Sequence, residues 1–203
     1  MRPAYTHVVA RAWQVIVALC ISLSLSAQSD RDLLNAYRQE NMSLWQAYVD
    51  TTVNLPYEYG FCGYIVAEAK KEGQEALLPD AKHYVQRFRE HVEVQKTTLP
   101  KGHYEMYLSA VYVFELRLHE SFHPIKAMSL AKEATRLAPS DPVVLTYYGT
   151  CLFYAPKPFG SKAEALRWFE KAEPLFQDPR YQYSWLREAN TMYIEQCQQK
   201  IKK

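Results

Sequence analysis

Apolar residues recur at helical spacing along almost the whole chain, and no window of strict alternation lasts long enough to form a strand. This restricts the fold to packed helices, and eight are expected. The first spans about 30–52, with Leu34, Tyr37, Leu44 and Tyr48 on one stripe; the second spans about 56–72, where Gly73 stops it. The third covers about 78–95 and turns Ala81, Tyr84, Val85, Phe88 and Val92 to one side, before Leu99-Pro100-Lys101-Gly102 breaks the chain. The fourth, about 103–118, is apolar nearly all round, as suits a helix buried between neighbours. Pro124 opens the fifth (124–137), and Ser140-Asp141-Pro142 opens the sixth (142 to 153 or 154), with proline in the first turn of each. The seventh follows Ser161 as cap, runs to about 176 and carries Ala165, Phe169 and Ala172 inward. The eighth begins near Ser184, points Leu186, Ala189, Tyr193 and Cys197 inward, and places Lys200, Lys202 and Lys203 at its negative end.

The first 27 residues stand apart from this pattern. Arg2 and Arg11 precede an apolar stretch from Trp13 to about Leu25, and Ser24, Ser26 and Ala27 supply small residues before the polar Gln28-Ser29-Asp30. That is the layout of a secretory signal cleaved after Ser26 or Ala27, and the stretch falls short of the ~20 apolar residues of a membrane span. No stable span is therefore expected in the mature chain. Cys20 follows Leu19, where a lipoprotein signal would have a small residue. The Ala27-Gln28 junction resembles signal peptides of the Bacteroidetes group, which implies a periplasmic or secreted protein.

Residues 28–203 form one domain by size. Without Arg2 and Arg11, the 24 basic side chains become 22, against 22 acidic ones. Zero formal charge, with both signs interleaved as in Arg87-Phe88-Arg89-Glu90, excludes a nucleic-acid footprint or an anionic-membrane patch. At 48% hydrophobic residues the chain can bury a core. Cys62, Cys151 and Cys197 remain, so one disulfide at most can form; Cys62 beside Gly63 and Cys151 near Gly149 read as small buried hydrophobes.

Successive helices of this length call for a search for an internal period, and one is present. Leu145, Tyr148, Gly149 and Leu152 follow the first-helix pattern of large residues around a glycine; Ala127, Ala131, Ala134 and Pro139 follow the second-helix pattern of small residues and a closing proline. Ala165, Phe169 and Ala172 repeat the second pattern. Over about 124–176 the chain resembles the tetratricopeptide repeat family. Ala131 departs from the family's bulky residue at its position, the closing proline is missing after Ala172, and residues 156–159 extend one loop. Cys62, Gly63 and Val66, and again Met106, Ala110 and Val113, look like weaker first helices. The segment 159–165 resembles the loop-to-helix junction of secreted bacterial repeat proteins, including subunits associated with transporters.

The resemblance implies an all-α, right-handed stack of about four antiparallel helical hairpins, whose first helices line a concave groove. The groove candidates are Tyr64 and Glu68 of the second helix, Tyr107, Val111, Phe114 and Glu115 of the fourth, Thr146, Thr150, Phe153 and Tyr154 of the sixth, and Asn190 and Tyr193 of the eighth. Aromatic and hydroxyl groups dominate this set and suit a protein or peptide surface. The same tyrosines can equally serve as packing between repeats. Thr146 and Thr150 stand where some family members carry the Lys and Asn that clamp a peptide carboxylate, so that ligand is not expected.

The expected function is therefore non-catalytic binding of a protein or peptide, with no cofactor. The alternative is a small-molecule carrier or transporter accessory, its pocket lined by Tyr107, Phe114 and Phe153. A remote third reading comes from His119-Glu120-Ser121-Phe122-His123, literally H-E-x-x-H, the spacing with which a zinc hydrolase holds its metal and a general base. It requires a continuing helix, whereas Pro124 disfavours helical backbone at His123, so a polar loop is the expectation there. A third ligand would also be required, and no spacing selects one; Glu133 is no more than a guess for it. His83 and His91, beside Arg87, read as a solvated helix face.

Overall fold

The computed structural model describes residues 30–39 and 41–201. The expected signal segment, with its cleavage site, lies outside the described residues, as do Lys202 and Lys203. Every regular element among the described residues is helical. In chain order they are α1 (30–38), α2 (Met42–Thr51), α3 (Leu55–Glu68), α4 (Leu78–Val94), α5 (His103–Arg117), α6 (Pro124–Leu137), α7 (Pro142–Tyr154), α8 (Lys162–Ala172) and α9 (Trp185–Ile201). None of these helices is long and apolar enough to cross a membrane.

Most starts and stops obey local chemistry. Asp141 caps α7 by accepting from the amides of Val143 (2.9 Å) and Val144 (3.2 Å), with Pro142 at the first helical position. Ser161 caps α8 by accepting from the Glu164 amide at 3.0 Å. Beyond Ala172 the expected helix tightens into a 3-10 turn over Glu173–Gln177, because Pro174 has no N–H to continue the ladder.

The first expected helix is two helices, α1 and α2. Trp45 Nε1 donates to the Leu33 carbonyl at 2.8 Å. In a continuous helix residues 12 apart lie about 18 Å apart along the axis, so this bond exists only because the chain turns back between them. The turn changes the phase of the stripe: Trp45 and Val49 are buried, whereas Leu44, expected inward, is exposed.

Each helix from α2 to α9 packs on its successor; α3 also packs on α5, α5 on α7, and α7 on α9. Small residues set how closely they approach. Ala127, Ala131 and Ala134 of α6 are buried, and the Ser109 hydroxyl of α5 donates to the Ala127 carbonyl at 2.6 Å. At Gly149 of α7, a Cβ would stand 2.7 Å from the Phe169 ring of α8. The absent side chain is therefore what lets that fully buried ring lie against the α7 backbone.

Gly149→Val should lower unfolding free energy in urea by about 1–3 kcal/mol through overpacking. Combined with Phe169→Leu, the loss should fall short of the sum of the two single losses, because both changes act on one contact.

Candidate functional site

Side chains of the first three helices converge on Trp185 of α9. The indole of Trp185, the first residue of α9, lies 5.6 Å from Tyr37, 5.5 Å from Trp45 and 5.8 Å from Tyr59, centre to centre. Its Nε1 donates to the Pro56 carbonyl at 3.2 Å. Alongside, Arg38 pairs with Glu188 at 2.7 Å and Arg31 donates to the Tyr183 hydroxyl at 2.9 Å. Tyr59 carries the aromatic packing inward, 6.0 Å from Phe114, 5.8 Å from Tyr147 and 6.4 Å from Tyr107.

This packing divides the twelve groove candidates. Tyr107, Val111, Phe114, Thr146, Phe153 and Asn190 are buried between helices and present no surface. Thr146 donates to Asn190 Oδ1 at 2.9 Å, while Asn190 Nδ2 reaches the Phe169 carbonyl (3.1 Å) and Glu173 Oε2 (2.7 Å). That pair is a satisfied polar network joining α7, α8 and α9, and no hydrogen-bonding capacity of the threonine hydroxyl is turned outward. Thr150 bonds back to the Thr146 carbonyl at 2.9 Å. Glu115 accepts from Arg89 and from the Ser121 hydroxyl. Glu68 is paired with Lys71.

The accessible candidates are chiefly tyrosines. Tyr154 is 67% exposed and Tyr64 39%. Tyr193 is half-buried, stacked on Phe169 at 5.1 Å and 7°, with its hydroxyl 3.4 Å from that of Tyr154. The aromatic end of α7 thus meets α9 at the surface. A separate open cleft of about 530 Å³ is lined by Pro139, Asp141, Leu175, Asp178, Arg180 and Tyr181. Its carboxylates are already engaged, Asp178 by Arg180 at 2.8 Å and Asp141 by the α7 cap and His103 Nε2 at 2.9 Å.

The H-E-x-x-H motif lies where α5 ends. His119 has a left-handed φ of +59°, and its amide donates to the Leu116 carbonyl at 3.2 Å while the Glu120 amide donates to the Glu115 carbonyl at 2.9 Å. These two bonds make a Schellman stop, with His119 in the place glycine usually takes. The motif therefore leaves the helix at its first residue, and the two imidazoles do not share a helix face. His123 packs edge-on against Tyr112 at 5.7 Å and Glu120 pairs with Lys82 at 3.0 Å. Among the described residues no three His, Cys, Asp or Glu side chains gather as a metal site requires.

Burial governs ionisation in the interior. It raises the hydroxyls of Tyr59, Tyr107 and Tyr147 well above the ordinary tyrosine value. It also raises the Cys62 thiol, and pushes the Cys151 thiol up to about 12 even though the neighbouring Tyr147 hydroxyl favours the thiolate. Cys62, Cys151 and Cys197 are all unpaired. Burial alone would raise Asp141 too, but the hydrogen bond and charge of His103 and the two capping amides outweigh it and hold the carboxyl below its ordinary 3.8.

The interior pairs Tyr59 with Tyr147 and Trp185 with Trp45, contacts between segments far apart in the chain. None of these four residues is singled out by helical periodicity, which gives the facing side of each helix and not its partner.

Asp141 is stabilising above its ordinary carboxylate value, and that contribution is lost as pH falls through the lowered one. Asp141→Asn should therefore flatten the acid limb of a stability-against-pH curve below about pH 4 and, at neutral pH, cost about 1 kcal/mol for the weakened cap. Because the thiolate is the reactive form, Cys62 and Cys151 should resist iodoacetamide at pH 8 in the native chain and react once urea unfolds it, as mass spectrometry would record.

No family model, curated protein or solved structure matches the chain.

Proposed function

We propose that the chain is a non-catalytic, protein- or peptide-binding module of tetratricopeptide-like architecture, a right-handed stack of about four helical hairpins exported to the periplasm. The observation that carries this reading is the order of packing. Each helix meets its successor, and the alternate helices α3, α5, α7 and α9 meet in sequence, as the first helices of stacked hairpins do. The contact of Gly149 with Phe169 supports it, because it joins the two motif positions that a first and second helix bring together.

The binding surface in this reading is the tyrosine edge left open by the packing: Tyr154 and Tyr193 where α7 meets α9, and Tyr64 on α3. Exposed tyrosine offers a rigid apolar face and a polar tip at low entropic cost. The carrier reading gains less, because Tyr107, Phe114 and Phe153 pack ring against ring with Tyr59 and Tyr193. The hydrolase reading would need His119 and His123 to be rearranged onto a common helix face.

Native mass spectrometry of the mature chain, isolated from its own host without tags or chelators, tests the three together. The expected result is a metal-free chain carrying a polypeptide, with Tyr154→Ala reducing that occupancy by about tenfold or more, as for a hot-spot aromatic. Stoichiometric zinc would replace this reading with the hydrolase, and a bound small molecule would replace it with the carrier.

A further inference from the structure

The C-terminal edge of the molecule gathers positive charge around one aromatic ring. Lys162 Nζ, at the first residue of α8, lies 3.6 Å from the centre of the Phe153 ring and 5.9 Å from that of Tyr154. Lys200 Nζ, near the end of α9, lies 5.0 Å from the same Phe153 centre. Phe153 itself is buried, so the two ammoniums are drawn to one ring that the packing holds in place. Around the rim, the Tyr193 and Tyr154 hydroxyls lie 3.4 Å apart. If Tyr193 donates to Tyr154, the Tyr154 hydroxyl keeps its own proton for an outside acceptor.

Attraction to the ring accounts for part of this arrangement, since each ammonium gains from the π face. It does not use their hydrogen-bonding capacity: an ammonium has three N–H donors, and neither Lys162 nor Lys200 has a carboxylate or hydroxyl partner among the described residues. Of the α8 carboxylates, Glu164 acts on Tyr148, and Glu170 acts on Cys197, a thiol that also feels Lys162 and Lys200 without forming an ion pair to either. The positive end of α8 adds to the local field. Burial and, after it, the neighbouring Lys200 charge hold Lys162 below its ordinary value, against a smaller opposite pull from Cys197.

We infer that Lys162 and Lys200, with the Tyr154 and Tyr193 hydroxyls, form a binding site for a tetrahedral oxyanion of the phosphate class. Two ammoniums match the charge of a phosphate dianion, and the Tyr154 phenol, oriented by Tyr193, supplies a neutral donor at its side. A single-charged planar carboxylate would leave one ammonium uncompensated. The site does not depend on the chain's binding a polypeptide: the purified chain and inorganic phosphate suffice to test it, and failure here leaves the partner-binding reading where it was.

The test is a titration of the purified mature chain with sodium phosphate at constant ionic strength, which removes general screening, followed by amide and lysine Nζ signals in NMR. Saturable shifts confined to the first turn of α8 and the end of α9, with the Lys162 titration moved to higher pH than in matched chloride, are expected. Lys162→Gln and Lys200→Gln should each weaken binding by about tenfold, the loss of one charge-assisted hydrogen bond. Tyr154→Phe keeps the ring and should weaken binding less. The inference is overturned by shifts that do not saturate, by chloride or acetate acting equally well, or by unchanged affinity in both lysine variants with native spectra.

Discussion

The docking of Trp185 on α2 and α3 governs how the rest of this structure is arranged. Its indole sits among Tyr37, Trp45 and Tyr59, and its Nε1 donates to the Pro56 carbonyl in the first turn of α3. Gly60 makes the approach possible, since a Cβ there would come within 2.9 Å of the Trp185 ring and closer still to Trp45. With α9 held in this way, the inward faces of α5 and α7 have no solvent to meet. Tyr107, Phe114, Thr146 and Phe153 are therefore interior residues.

Polar groups inside the packed region follow from the same constraint. A threonine and an asparagine buried between α7 and α9 need partners, and they find them in each other, in the Phe169 carbonyl and in Glu173. Ser109 and Tyr147 do likewise at 2.8 Å between α5 and α7. Glu58, buried on α3, is met by His91 Nδ1 at 2.7 Å and by the Asn54 amide at 3.0 Å. His91, which reads as a solvated side chain from sequence, is thus a structural link between α3 and α4. Each of these pairs ties two helices at a defined register.

The helices were legible because periodicity, proline and capping residues act within a few residues of one another. Asp141-Pro142, Ser161 and Gly149 behave as local rules require. Where the sequence misleads, a tertiary contact decides. The break between α1 and α2 carries no proline or glycine, and only the reach of Trp45 back to Leu33 reveals its direction. The candidate site was half legible for the same reason. An inner stripe can be read from one helix, but whether it is open depends on side chains more than a hundred residues away, as Trp185 is from Tyr59. The H-E-x-x-H spacing likewise says nothing of the left-handed backbone at His119 that ends the helix beneath it.

Stacks of helices in which each unit touches only its neighbours can gain or lose units freely, and can fray from either end. The contact between α9 and the first three helices removes that freedom. Residues 31 and 183, or 38 and 188, meet only when the helices between them have packed. Such long-range contacts also delay folding relative to a local array, because the ends must find each other across the whole length. They couple α1 and α2 to α9, so that a defect at one side of the closure is felt at the other.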